Sequence, residues 1–141
     1  MSIRNQAEKG SVRGLGLLVA AVFIAGIVGL VVVNLPKGFD MDLTKIGAGK
    51  PAVVFVYDNN LAISGMQTGE MNTIRERFDD RILFLVADVG RPTAQEWILQ
   101  NQAHTADLLF FDAHGKLQHR QPAPVAAEQL IDTIQISLGA N

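Results

Sequence analysis

Three short runs without a charged side chain constrain this chain most: Ala52-Val53-Val54-Phe55-Val56-Tyr57, Ile82-Leu83-Phe84-Leu85-Val86-Ala87 and Leu108-Leu109-Phe110-Phe111. Successive side chains of a strand point to opposite faces, so a continuous apolar run forms a strand only where both faces are covered. The covers are legible between the runs. Met71, Ile74 and Phe78 recur at spacings of three and four among Glu70, Arg75, Glu76 and Arg77, which predicts an amphipathic helix over 66–78. After Asp88-Val89-Gly90-Arg91-Pro92, Thr93 and Glu96 stand at capping-box spacing before a helix whose inner face is Ala94, Trp97 and Ile98. Asp112-Ala113-His114-Gly115 is turn chemistry leading into Lys116-Leu117-Gln118-His119-Arg120, an alternating strand that pairs back as a hairpin. Leu130, Ile131, Ile134 and Leu138 close the chain as a helix over 128–138. The order β-α-β-α-β-β-α implies one parallel pair with a right-handed crossover, then antiparallel strands. The expected class is α/β: a three-layer domain around a mixed sheet of about four strands.

Ahead of this domain lies a different kind of sequence. Gly14 to Leu35 are 22 consecutive residues without a charge. As a helix they rise about 33 Å, enough for a hydrocarbon core of about 30 Å, so a transmembrane helix is expected over 14–35. It would follow a tail, 1–13, and precede a linker, 36–49, with the globular domain at 50–141. The run ends Val33-Asn34-Leu35-Pro36, unlike the small-x-small ending of a cleaved signal. Arg4, Lys9 and Arg13 before it balance Lys37, Lys45 and Lys50 after it. The compact N-terminal charges favour a cytoplasmic N-terminus and a periplasmic domain, as in a single-pass protein of a bacterial inner membrane. Gly16 and Ala20, and Ala21, Ala25 and Gly29, recur every four residues, the small-xxx-small pattern that lets helices approach in lipid. The expected partners are the bilayer and a membrane protein, or a second copy of the chain.

Composition excludes several chemistries. The chain of 141 residues contains no cysteine, so its own side chains supply no disulfide, thiolate metal ligand or thiol nucleophile. A formal net charge of −2 without clustered Lys and Arg argues against nucleic acid. His104, His114 and His119 match no zinc spacing, and Gly47-Ala48-Gly49-Lys50 lacks the P-loop pattern, so no metal or cofactor is expected.

From Lys50-Pro51-Ala52-Val53-Val54-Phe55-Val56-Tyr57, through Asp79-Asp80-Arg81-Ile82-Leu83-Phe84-Leu85-Val86-Ala87-Asp88-Val89, to Asp107-Leu108-Leu109-Phe110-Phe111-Asp112-Ala113-His114-Gly115-Lys116, the chain resembles a thioredoxin-fold domain covering about 46–138. The resemblance implies a C-x-x-C at the start of the helix after the first strand, where a helix N-terminus lowers a thiol pKa. Carried over, the two cysteines fall on Leu61 and Ser64, the tryptophan before them on Asn60, the buried aspartate on Phe55 and the cis-proline on Ala106. A non-proline cis bond costs about 2.5–4 kcal/mol, so Ala106 is expected in trans. Thiol exchange by this chain is chemically impossible.

The expected function is therefore non-catalytic: an interaction module, membrane-anchored, serving as accessory subunit or assembly factor. Its candidate surface is the former redox loop and the loop facing it: Leu61, Ala62, Ile63, Ser64, Met66, Thr105, Ala106 and Asp107. Two alternatives use the same residues. A peptide- or client-binding holdase would use exposed Leu61, Ile63 and Met66, with strand addition near Asp107. A hydrolase would draw on Ser64, His104 and Asp107 as nucleophile, base and orienting group; against it, Ser64 reads as a cap, His104 as a solvated loop residue and Asp107 as the start of a strand.

Overall fold

The computed structural model describes residues 9–33 and 38–140, with side chains described for 14–28 and 38–140. The chain divides into two compact units, Met1–Lys37 and Gly38–Asn141.

The first unit contains helix α1, Lys9–Val33. Its backbone is helical from Lys9, inside the stretch expected as a tail. Among the described residues, no helix is long and apolar enough to cross a membrane. Part of the expected span, 29–35, lies outside the described side chains. This corrects the expected transmembrane helix, and with it the inner-membrane placement. Gly16, Ala20, Ala21 and Ala25 are exposed, and Gly29 lies outside the described side chains.

The second unit is built on strands β1 (Ala52–Tyr57), β2 (Leu83–Asp88), β3 (Asp107–Phe111) and β4 (Leu117–Pro122). Their order in the sheet is β2-β1-β3-β4, with β1 parallel to β2 and antiparallel to β3, and β3 antiparallel to β4. Helices α2 (Ala62–Phe78), α3 (Pro92–Gln100) and α4 (Ala127–Leu138) cover it. The period of two along β1 sorts the core. Val53 and Phe55 face one side, with Met71, Ile74 and Phe78 of α2 and Leu130 and Ile134 of α4. Ala52, Val54 and Val56 face the other, with Ala94 of α3 and, partly buried, Trp97 and Ile98. The three-layer mixed α/β sheet is as the sequence pattern implies.

Three boundaries differ from the sequence reading, each for a local reason. Helix α2 begins at Ala62 rather than Met66, because its buried stripe continues backwards through Gln67 and Ser64. Helix α3 begins at Pro92, with Arg91 as N-cap and no side-chain cap, so Thr93 lies inside the first turn. Proline suits this position because its missing N–H would have had no helical partner. The stretch expected as a linker is built into the domain from Gly38 onward. Asp40 forms a parallel bridge with Leu85, and its carbonyl accepts the Val86 N–H at 2.9 Å. Asp42 caps a 3-10 turn at Leu43–Lys45, accepting from the Thr44 N–H at 3.1 Å. Phe39 packs against the α2–α4 core, and Leu43 and Ile46 against the α3 core. Gly47 and Gly115 stand back to back, each at positive φ. The Asp40 carboxyl lies below the usual carboxylate range, first because the Lys45 ammonium hydrogen-bonds to it. The Asp112 carboxyl is lowered likewise, chiefly by the Lys116 N–H.

Asp79, at the C-cap of α2, has φ 50° and ψ −137°, a conformation that side chains other than glycine's rarely adopt. Its N–H still donates to the Arg75 and Glu76 carbonyls, bonds that glycine would keep. Asp79→Gly is therefore expected to raise stability by about 1 kcal/mol, strain relief outweighing the extra freedom of the unfolded chain. Urea denaturation checks this: the midpoint rises and the slope stays constant.

Candidate functional site

The residues carried over from the redox family converge at the C-terminal end of β1. On one side, Asp58-Asn59-Asn60 turns into α2. Asp58 Oδ1 accepts from the Asn60 N–H at 2.9 Å and its side-chain amide at 3.0 Å, and the Leu61 N–H donates to the Asp58 carbonyl at 3.1 Å. Leu61 is the N-cap of α2, in extended conformation and without a side-chain cap. On the other side, the Ala106 N–H donates to the Val56 carbonyl at 2.9 Å, while the Ala106 carbonyl accepts from Ala123 at 2.8 Å. These bonds fix the 104–107 loop beside the α2 entrance.

Ser64 is fully buried, and its hydroxyl accepts the Asp58 N–H at 3.0 Å. It is thus a tie between loop and helix rather than part of an accessible surface, and neither an N-cap nor a nucleophile with a base. His104 points away from such a role. Its side chain is 82% exposed, with Nδ1 3.5 Å from Asp107 Oδ2, and its N–H donates to the same carboxylate at 2.9 Å. Among the described residues no hydrogen bond joins Ser64 to His104, so the sequence-derived triad is not assembled. Leu61, Ala62, Met66 and Thr105 are exposed, whereas Ile63, Ala106 and Asp107 are partly buried. The surface at this end is therefore narrower than expected, with apolar Leu61, Ala62 and Met66 exposed beside polar Asn59, Asn60, His104 and Thr105.

Ala106 departs most from the family pattern. Its φ is +69°, and the cis peptide among the described residues is Ala123–Pro124. Ala106 meets the backbone geometry of its loop by turning left-handed in a trans chain. That arrangement supplies a hydrogen bond to β1 on one side and to the start of the α4 approach on the other.

Sequence reasoning missed the polar residues that hold this end together. Gln67, fully buried, accepts the Val125 N–H at 2.7 Å and donates to the Val125 carbonyl at 3.1 Å. Glu70 accepts the Ala127 N–H at 2.8 Å at the start of α4. Arg120 reaches from β4 to the carbonyls of Gln102 and Asn101, each at 2.6 Å, where α3 ends. Gln67 was legible in one respect: Ser64, Gln67, Met71, Ile74 and Phe78 form one stripe at helical spacing.

Among the described residues no three His, Cys, Asp or Glu cluster as a metal site. The His114 N–H donates to Asp112 within its turn, and the His119 ring packs against Phe110 with centroids 5.5 Å apart.

This arrangement of strands and helices defines a thioredoxin-like fold. No protein-family model matches the chain, and no curated protein matches it by sequence. Solved structures do match. The solution structure of an uncharacterized thioredoxin-like protein from Clostridium perfringens superposes with a TM-score of 0.62 at 15% identity, over 72% of this chain and 80% of that one. Thioredoxin-2, a component of malaria parasite protein secretion machinery, superposes at 0.57 with 16% identity, over 62% and 82%. Oxidized thioredoxin O2 from Arabidopsis thaliana gives 0.56 at 10% identity, over 66% and 83%. Similarity at this level is similarity of fold.

Proposed function

We propose that this chain is a non-catalytic thioredoxin-like interaction module, an accessory or structural component of a protein assembly. One observation carries the reading. At the helix entrance where the fold's redox enzymes place their cysteines, this chain has an exposed Leu61 and a Ser64 sequestered by the backbone of Asp58. The position is filled with a contact residue and a structural tie. Exposed Met66, one turn further along α2, and exposed Thr105 extend the patch. Fold alone does not fix function, so the assignment rests on this replacement of chemistry by apolar surface. Thioredoxin-2's place in a secretion machinery supports the idea that the fold serves within larger assemblies.

The test is to co-purify partners through a tagged full chain carrying Leu61→Asp and Met66→Asp. An intact circular-dichroism spectrum with recovery of the specific partner reduced about tenfold is the expected outcome, since a charge set into an apolar contact costs more than 1.4 kcal/mol. Unchanged recovery overturns the assignment of this surface. A photo-crosslinker at position 61 should form an adduct with the same partner.

A further inference from the structure

On the sheet face opposite α2 and α4, a groove of about 470 Å³ opens between the 3-10 turn at Leu43–Lys45 and helix α3. Met41, Leu43 and Trp97 give it apolar walls; Asp42 and Glu96 give it two carboxylates; no lysine, arginine or histidine lines it. The nearest cation in sequence, Lys45, is hydrogen-bonded to Asp40 and feels the charge of Asp42 without bonding to it. We infer that this groove binds a basic peptide segment in which arginine alternates with an apolar residue. This surface is separate from the loop at the end of β1, and either assignment can fail without the other.

The chemistry of the walls selects that occupant. Asp42 uses one oxygen, Oδ1, on the Thr44 N–H and hydroxyl, and Glu96 uses Oε1 on the Gln100 amide at 3.3 Å. Each carboxylate keeps its other oxygen for an incoming donor, and a guanidinium presents several donors in a planar fork. Trp97 is locked by an edge-on contact with Phe111, centroids 5.9 Å apart, so its indole is a fixed wall. Tryptophan is the aromatic that attracts a cation best, and Met41 and Leu43 suit the apolar neighbours of the arginine. An acidic segment would meet like charge on both sides, which disfavours it. Grooves of a few hundred Å³ with apolar walls and a few placed polar groups are the usual form of recognition sites.

Trp97 is the one tryptophan of the chain, so its emission reports the groove without a label. The full chain is titrated at low salt with acetyl-Leu-Arg-Leu-Arg-amide and, separately, with acetyl-Leu-Glu-Leu-Glu-amide. A saturable change in Trp97 emission is expected with the first and none with the second. Asp42→Asn with Glu96→Gln keeps the cap on Thr44 and the Gln100 contact, and should weaken binding about fivefold or more. Raising the salt should weaken wild-type binding and leave the double variant little changed. Absence of a saturable change, or an equal response to both peptides, overturns the proposal. So does an emission change that follows protein concentration alone, which would place a second copy of the chain in the groove.

Discussion

Gln67→Ala should lower the stability of the domain by about 3–5 kcal/mol, a large share of the total for a unit of this size. The side-chain amide exchanges two hydrogen bonds with the backbone of Val125, both buried. Truncation leaves that N–H and that carbonyl without partners where water does not reach, at about 1–3 kcal/mol each, and opens a void between α2 and the loop before α4. Gln67→Glu separates the two contributions. The carboxylate still accepts from the Val125 N–H but faces the Val125 carbonyl, so only its protonated form replaces the lost donor. Its folded-state pKa must then lie above the unfolded value. The variant should be relatively more stable below the usual carboxylate range and lose that advantage as pH rises through the raised value. Urea titrations at pH 4 and pH 8 on the wild type and both variants check this. A pH-independent deficit in Gln67→Glu would mean that the Val125 contact contributes only packing.

Gly115→Val is expected to cost a similar 3–5 kcal/mol, for a backbone reason. Gly115 sits at φ +83° in the turn between β3 and β4, and a Cβ there would lie 3.1 Å from the Gly47 Cα. Gly47, at φ +85°, would in turn set a Cβ 3.1 Å from the His114 carbonyl oxygen and 3.2 Å from the Gly115 Cα. A β-branched residue meets both the left-handed penalty and a clash with backbone, which has no rotamer to yield. The two glycines are coupled. Gly47→Ala and Gly115→Ala together should cost less than the sum of the single effects, because the first already drives the segments apart. Trp97 emission during urea unfolding reads all four variants, Gly115→Val, the two alanine singles and their double. Strict additivity would show that the two backbones do not rely on each other.

The sequence pattern was sufficient where one kind of residue did one job. The strands were legible because Val53–Val56 and Leu108–Phe111 are apolar on both faces, and a two-sided cover has few alternatives. The hairpin was legible in Asp112 and Gly115, whose roles are local: a carboxylate receiving the His114 and Lys116 N–H groups, and a residue at positive φ. What stayed hidden depends on partners distant in sequence. The helical stripe places Gln67 on the inner face, but its partner, Val125, is 58 positions away and no local pattern names it. Residues 38–49 read as a linker because Phe39, Leu43 and Ile46 are scattered among glycines and aspartates, and each finds its own place on the domain. The candidate surface was found in outline from the missing cysteines. The partner of Ser64 was not legible, since a hydroxyl that satisfies the Asp58 N–H looks in sequence like one that reacts.

Residues 38–46 also bear on what the rim of the sheet offers to another chain. Strand β2 is one edge of the sheet, and Phe84 to Ala87 are buried. An apolar edge strand with open N–H and carbonyl groups invites another chain to pair with it. The bond from Val86 to Asp40 uses one N–H of that edge within the chain's own backbone, and the Asp40 side chain, held to Lys45, places charge beside it. Loss of residues 38–42 would leave the four named strands in place and free the Val86 N–H on the β2 rim, where a strand of a neighbouring molecule could pair.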